Sequence, residues 1–472
     1  MITYLIVLVL YFLILLTISF YANNRNKTQS DYILGGRNLG WLTTSIGAGS
    51  ADMSAWIFLG LPGAAYLLGL NQIWIAIGLI VGAYFNWHLV SYNLRKFSAE
   101  SKSLTISSFF ANHVYGKGKV YLKIITTVVT IIFFIIYVAS GFAGGAILLT
   151  VLFNFTYFWS IVITLIFVVS YVFIGGYLAV AWTDLLQGLL MIFIIICVPI
   201  FTLSALDWNF LEIKNRILLN NPNALNIVYN MSAINIISLL AWGLGYVGQP
   251  HILTKFMGIK DTSKLKRAKY TNILWMAVGM GFAILIGLLA SAYFYKTPLE
   301  DPEKAILLLG QSTSISLVVA FISVAILAAI ISTANSQLLI VASSIVEDIA
   351  FIKKFNKNNT MLLPRLILLV VAIISAIIAL NKDSSILSMV GYAWAGFGAS
   401  FGPLIILITR GVKLSSTAAI CGVIVGAITV VVWKNLHGGI FDIYEILPAF
   451  ILSFITILLV NIVKKPVVDL EN

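Results

Sequence analysis

Charge is scarce in this chain. Asp, Glu, Lys and Arg make up 10% of its 472 residues, against 60% hydrophobic, and the mean hydropathy is +1.02. Water-soluble domains carry roughly 25% charge, so that class is excluded. Cysteine is nearly missing: Cys197 and Cys421 each lie in an apolar run, which leaves no disulfide framework and no cysteine metal site. The four histidines, His88, His113, His251 and His437, include no pair at metal-ligand spacing. There is no nucleophile–base motif and no phosphate-binding loop. The longest polar segments, near 94–120, 206–232 and 254–270, are too short for a soluble catalytic or output domain. Short alternating segments of the kind that build membrane barrels are also lacking. The first apolar run, 3–21, has no small-residue cleavage site behind it, so it reads as a span rather than a signal peptide.

What the chain does have is long apolar stretches of the ~20 residues that a 30 Å hydrocarbon core requires. They run approximately 3–21, 39–62, 70–93, 121–150, 157–176, 180–205, 233–253, 271–295, 314–346, 361–380, 385–409, 414–433 and 444–463, thirteen in all. The net charge of +12 is explained by where the basic residues fall. With the N-terminus outside, only Lys214, Arg216, Lys296, Lys304, Lys382 and Lys434 of the 29 lie in outer loops, and the rest lie inside. That asymmetry follows the positive-inside rule and sets the C-terminus in the cytoplasm, with no call for nucleic acid. The cluster Lys255–Lys269 reads as a cytoplasmic anchor at lipid headgroups. Glu347 and Asp348 read as solvated or paired with Lys353 and Lys354, and Asp442 and Glu445 as acids opening the last helix.

Two spans are interrupted. Gly47-Ala-Gly-Ser-Ala-Asp-Met-Ser-Ala-Trp56 places small polar residues and the carboxylate of Asp52 inside an apolar run. A carboxylate at the centre of a span costs roughly 2.5–3.5 kcal/mol by insertion scales. Trp242-Gly-Leu-Gly-Tyr-Val-Gly-Gln-Pro250 packs three glycines and a proline into nine residues. Such breaks are tolerated in lipid only where they are packed in protein or line a cavity. They are five spans apart, an odd offset, so the halves enter the membrane from opposite sides, as in an inverted repeat. A third polar element is Ala328-Ala-Ile-Ile-Ser-Thr-Ala-Asn-Ser336. Hydroxyls in a span commonly bond a preceding carbonyl or admit a close helix. Here Ala329, Ser332 and Thr333 share one face, and with carbonyls freed at a break they would offer neutral oxygens suited to Na⁺.

These residues resemble the sodium/solute symporter family, in particular its sodium/proline symporters. The matching strings are Asp31-Tyr-Ile-Leu-Gly-Gly-Arg37, Asp52-Met-Ser-Ala-Trp56, Gly60-Leu-Pro-Gly63, Trp74-Ile-Ala-Ile-Gly78, Phe173-Ile-Gly-Gly176, Ala181-Trp-Thr-Asp184, Trp242-Gly-Leu-Gly-Tyr246, Gly248-Gln-Pro-His-Ile-Leu253 and Ser332-Thr333. The resemblance implies an all-α polytopic membrane protein with about 13 transmembrane helices and a leucine-transporter-like 5+5 inverted repeat with broken helices. The whole chain, 1–472, is then one transporter domain: 1–38 an extra helix and loop, 39–206 the first repeat, 230–409 the second, and 410–472 two extra helices. It implies sodium-coupled symport of L-proline by alternating access in the cytoplasmic (inner) membrane, and no enzymatic activity. By resemblance the sodium site draws on Ser50, Met53, Ala329, Ser332 and Thr333, with Asp52 needed for coupling; the proline pocket on Ser54, Trp56, Tyr137, Trp242, Tyr246 and Pro250; and Asp184 on the inward sodium path. The sodium/proline symporters usually carry glycine where this chain has Ala55. The aromatics would offer faces to a secondary ammonium, and a half-helix N-terminus donors to a carboxylate.

Other readings are a sodium- or proton-coupled symporter of another small amino acid or carboxylate, and a transporter-like membrane sensor. No obligate protein partner is expected; the partners are Na⁺, a small solute and lipid.

Overall fold

The computed structural model describes residues 2–24, 33–229, 231–349, 352, 362–382 and 385–466. Arg25, Lys27, Asp31, Tyr32, Lys353, Lys354 and Lys357 lie outside the described residues, as does the expected pairing of Glu347 and Asp348 with two of those lysines. The described chain is nearly all helical. Val114–Tyr115 and Leu414–Ser415 form one short parallel pair, and Leu39 bridges Ile259.

Among the described residues, ten helices are long and apolar enough to cross a membrane, or eleven when the bent pair Ala233–Gly248 and Pro250–Gly258 counts as one. Thirteen stretches were expected from the sequence, and two continuous helical runs account for the difference. Tyr157–Ala205 has 49 residues and would reach about 74 Å as a straight helix, more than twice the hydrocarbon thickness. It is broken at Gly176, whose φ of 60° and ψ of −158° are open to glycine alone. Trp56–Leu89 likewise joins the end of the first interrupted span to the next helix, across Gly69 at φ 83°.

Burial separates centre from rim. Helices Ser316–Asp348 and Ile386–Thr409 bury 83% and 89% of their most apolar stretch, whereas Ile2–Asn23 and Ile446–Val463 bury 28% and 22% and turn Leu, Ile and Phe outward to the lipid. Ser316–Asp348 keeps its polar residues inside, including Ser332, Thr333, Asn335, Ser336 and Gln337.

Several acids and bases sit differently from their sequence reading. Asp348 is buried, and the Thr105 hydroxyl donates to its carboxylate at 2.8 Å. Glu445 opens the last helix as expected, at its N-cap and without a side-chain cap, with its Oε1 3.6 Å from Lys434 Nζ; Asp442 lies in the preceding turn and accepts the Gly438 amide at 2.8 Å. In the expected headgroup anchor, Lys260, Lys264, Lys266 and Arg267 are exposed. Lys269 is buried, its ammonium 4.5 Å from the Tyr84 ring centroid, and Lys255 is buried as described below. Hydropathy counts a lysine at the end of a span as a loop residue; it does not register a partner brought by another helix.

Glycine governs how closely the second interrupted span approaches helix Ile73–Leu89. A methyl on Gly82 would lie 2.1 Å from the Gly243 carbonyl oxygen, and one on Gly243 would lie 2.2 Å from that of Gly78. The backbones meet there without side chains between them. Gly82→Ala and Gly243→Ala are each expected to destabilise the fold by about 1–3 kcal/mol or more. A thermal unfolding midpoint unchanged from the parent protein in detergent would show that the backbones do not meet.

Candidate functional site

The first break begins where helix Trp41–Asp52 ends. Met53 leaves the helix at φ −84°, ψ 73°, and a helical run resumes at Trp56. The carbonyl of Asp52 collects three donors: the Ser54 amide at 3.0 Å, the Tyr137 hydroxyl at 3.0 Å and Trp56 Nε1 at 3.2 Å. Its carboxylate takes the Tyr246 hydroxyl through Oδ2, while Oδ1, fully buried, has no hydrogen-bond partner. Ser54 is buried with its hydroxyl unpartnered.

The second break is a 3₁₀ segment, Trp242–Gly248, followed by an extended Gln249 and then helix Pro250–Gly258 with Pro250 in its first turn. Its freed carbonyls are met by side chains. Asn86 donates to Tyr246 at 2.9 Å, Trp394 Nε1 to Trp242 at 2.7 Å, and Gln249 to Gly245 at 3.2 Å. A Cβ on Gly245 would fall 1.8 Å from Trp394 Nε1, so only glycine fits beneath that indole.

Four of the six residues expected around sodium converge. Ser332 Oγ donates to the Ser50 carbonyl at 2.8 Å and lies 3.2 Å from the Ala329 carbonyl; Thr333 Oγ1 lies 3.3 Å from the same Ser50 oxygen. Met53 is buried at the break itself. The Asp52 carboxylate is turned to Tyr246. Of the expected solute residues, Ser54, Trp56, Tyr137 and Tyr246 gather at Asp52. Trp242 departs: its ring stacks on Tyr444 at 5.3 Å, while Tyr246 meets Trp394 edge-on at 5.2 Å. Four residues apart, the two would share a face only if the α-helix continued. In a 3₁₀ segment residues four apart diverge by about 120°.

Asp184 is fully buried. Its backbone carbonyl accepts Ser50 Oγ at 2.9 Å, and its carboxylate pairs with Lys255, itself 1% exposed. Trp394, Asn86 and Gln249 carried no expected role from the sequence, and Lys255 was read only as part of the headgroup anchor. The available signal was a lone amide or cation embedded in apolar neighbours, as in Phe85-Asn-Trp87.

Ala55 is helical, at φ −50° and ψ −27°, so its position makes no demand for glycine. Its methyl faces Gly144 on helix Lys119–Phe153, where an added Cβ would come within 2.6 Å of it. The methyl here is matched by a missing one opposite.

A cavity of about 780 Å³ is lined by Gly60, Ile147, Tyr157, Glu303, Lys382 and Ile386 among others. Glu303 closes one wall: its Oε1 accepts the Ile386 amide at 2.8 Å, at the start of helix Ile386–Thr409. Burial pushes the Glu303 carboxyl up to about 7 from its ordinary 4.5, against the lowering effect of that amide.

Two broken helices crossing beside a buried hydroxyl helix define a membrane transporter, and comparison with known proteins narrows the class. The sequence pattern of the sodium:solute symporter family matches residues 32–426. The chain belongs to that family, whose members carry solutes and are not enzymes. Sodium/proline symporters of Staphylococcus aureus, those of strains JH9 and NCTC 8325 / PS 47 among them, are 40% identical over 98% of this chain and 93% of theirs. Among solved structures, a Na⁺-coupled sialic acid symporter in a substrate-bound outward-open state matches with TM-score 0.79 at 20% identity, over 97% of this chain and 98% of that one. The nucleobase–cation symporter Mhp1 matches at TM-score 0.56 and 15% identity, over 91% and 92%. MhsT, in complex with L-phenylalanine, matches at 0.54 and 14%, over 89% and 98%. These likenesses establish a leucine-transporter-like fold.

Two outcomes test the geometry. Gly144→Ala should destabilise by about 1–3 kcal/mol, and adding Ala55→Gly should recover most of the loss. A double-mutant cycle read by thermal unfolding checks this, and additive costs would place the Ala55 methyl elsewhere. For Glu303, whose carboxyl is raised, the docked loop favours the protonated form. Its contribution is full below pH of about 4.5 and is lost as pH rises through about 7. Intrinsic-rate-corrected hydrogen exchange at the Ile386 and Leu387 amides should therefore speed up over that window, and Glu303→Gln should flatten the response.

Proposed function

We propose that this chain imports L-proline together with sodium by alternating access across the cytoplasmic membrane. The observation that carries the reading is the meeting of Ser332 and Thr333 with the Ser50 carbonyl at the first break. Hydroxyl and carbonyl oxygens from two helices gather there in a dry interior, a donor set suited to a hard monovalent cation. Sodium is held by the oxygens of Ser50, Met53, Ala329, Ser332 and Thr333, and Asp52 acts on the site through its charge and its bond to Tyr246. Proline binds between the breaks, against Ser54, Trp56, Tyr137, Tyr246 and the start of helix Pro250–Gly258, with Trp242 bordering the pocket on the Tyr444 side. The naming of the S. aureus relatives as sodium/proline symporters supports the choice of solute.

The same reading takes Tyr157–Ala205 and Trp56–Leu89 as divided at their breaks, which yields thirteen crossings. The repeats are 39–206 and 230–409, with flanks 1–38 and 410–472; the N-terminus lies outside and the C-terminus in the cytoplasm. Sodium and proline together favour conformations that neither stabilises alone, which is what couples the two fluxes.

Uptake into vesicles with sodium and proton gradients imposed separately tests the reading. Labelled proline should accumulate with an inward sodium gradient. Accumulation that follows only the proton gradient would reassign the ion, and stronger competition by another small amino acid or carboxylate would reassign the solute. Ser332→Ala and Thr333→Ala should each raise the half-activating sodium concentration by about tenfold, the effect of losing roughly 1.4 kcal/mol of binding. Sodium activation in both variants equal to that of the parent would remove these hydroxyls from the site.

A further inference from the structure

Lys255 has no part in holding either sodium or proline, yet it is among the most deeply buried large side chains in the molecule. It projects from helix Pro250–Gly258, the half-helix that follows the second break, and its ammonium pairs with Asp184 on helix Tyr157–Ala205. The Tyr177 ring lies 5.2 Å from the ammonium. Ser336 Oγ stands 3.4 Å from the same carboxylate oxygen, and the other oxygen, Oδ1, is buried without a hydrogen-bond partner. Asp184 therefore keeps an open face.

The pair lies one step from the sodium oxygens. Ser50 links the two: its carbonyl receives Ser332 and Thr333, and its own hydroxyl donates to the Asp184 carbonyl. Ser336 is one helical turn beyond Ser332 on the same face, about 6 Å along the axis. An ion leaving the oxygens along that face meets a carboxylate already neutralised by a tethered cation.

The remaining links holding this half-helix are neutral acceptors on its backbone. Tyr177 donates to the Thr254 carbonyl at 3.2 Å, Arg37 to that of Met257 at 2.9 Å, and the Leu39 amide to that of Gly258 at 3.0 Å. Among the described residues, the Lys255 contact alone ties this half-helix by a buried pair of opposite charges. In a broken-helix transporter a half-helix must shift for the site to open on its side. Moving Pro250–Gly258 away draws the ammonium off Asp184 and exposes the carboxylate to the ion.

We propose that Lys255 is the inner latch of the sodium site: it occupies Asp184 while the half-helix is closed and yields the carboxylate to sodium only when the half-helix opens. With Lys255 in place the charge of Asp184 is already neutralised and attracts a second cation far less, so sodium passes inward in the opened state. Lys255 thus acts as a positioning residue that prevents sodium slipping through without solute. The inference rests on the sodium-symport reading above.

The test uses the full chain in proteoliposomes and measures radioactive sodium influx without proline, beside sodium-driven proline uptake. Lys255→Met should raise proline-independent sodium influx by at least about tenfold, within the usual range of coupling effects, and lower proline carried per sodium. Lys255→Arg, which keeps the cation, should restore the parent ratio. Asp184→Asn/Lys255→Met leaves no buried charge unpaired and decides the matter if the single variant does not fold; it too should leak. A parent-like sodium influx and coupling ratio in every folded variant would overturn the latch. Absence of sodium-driven uptake in the parent protein would overturn the symport reading, and the latch with it.

Discussion

A backbone carbonyl or amide that leaves its helix inside a bilayer has no water to turn to, and the interior of this protein is arranged around that constraint. Both interrupted spans release such groups, and several of them are met by side chains. The Asp52 carbonyl is met by Tyr137 and Trp56, that of Ser50 by Ser332 and Thr333, that of Tyr246 by Asn86 and that of Trp242 by Trp394. Buried polar side chains in a chain with 10% charge thus serve the backbone where the helices break. Glycine supplies the other half of the solution. Gly78, Gly82, Gly243 and Gly245 let backbones and an indole approach to distances that any Cβ would prevent.

Much of this was legible in the sequence, because the constraint writes itself into composition. Apolar runs mark the spans, and Gly47–Trp56 and Trp242–Pro250 mark the breaks by their glycines, proline and single carboxylate. The face shared by Ala329, Ser332 and Thr333 follows from helical spacing alone, since that helix is regular. Spacing fails where regularity fails. Trp242 and Tyr246 part company because the segment between them winds as 3₁₀. Partners separated by tens of residues leave no local trace, so Lys255 reads as a loop cation until Asp184, 71 residues upstream, is placed beside it. Ala55 is the converse case. Viewed alone it is a departure from the usual glycine, and only the neighbouring Gly144 shows where its methyl finds room.

The two breaks are joined to one another more directly than through packing. Tyr246 of the second break holds the carboxylate that interrupts the first. Lys255, nine residues further along, holds Asp184, which is in turn tied to Ser50 of the first break. The second broken span thus grips the surroundings of Ser50–Asp52 at two points, one on each side of its extended Gln249. A rotation of Pro250–Gly258 against Trp242–Gly248 changes the distance between those grips, so it must strain one bond or release it. Charged and charge-assisted bonds in a dry interior resist lengthening more strongly than neutral ones. In the proposed reading the half-helix therefore switches between docked and undocked arrangements rather than moving through a continuum. Such an element couples an ion to a solute through contacts that differ between its two states. In the proposed reading the coupling resides less in the sodium oxygens, which any close pair of polar helices could supply, than in the arrangement by which one half-helix reaches both acids that flank them.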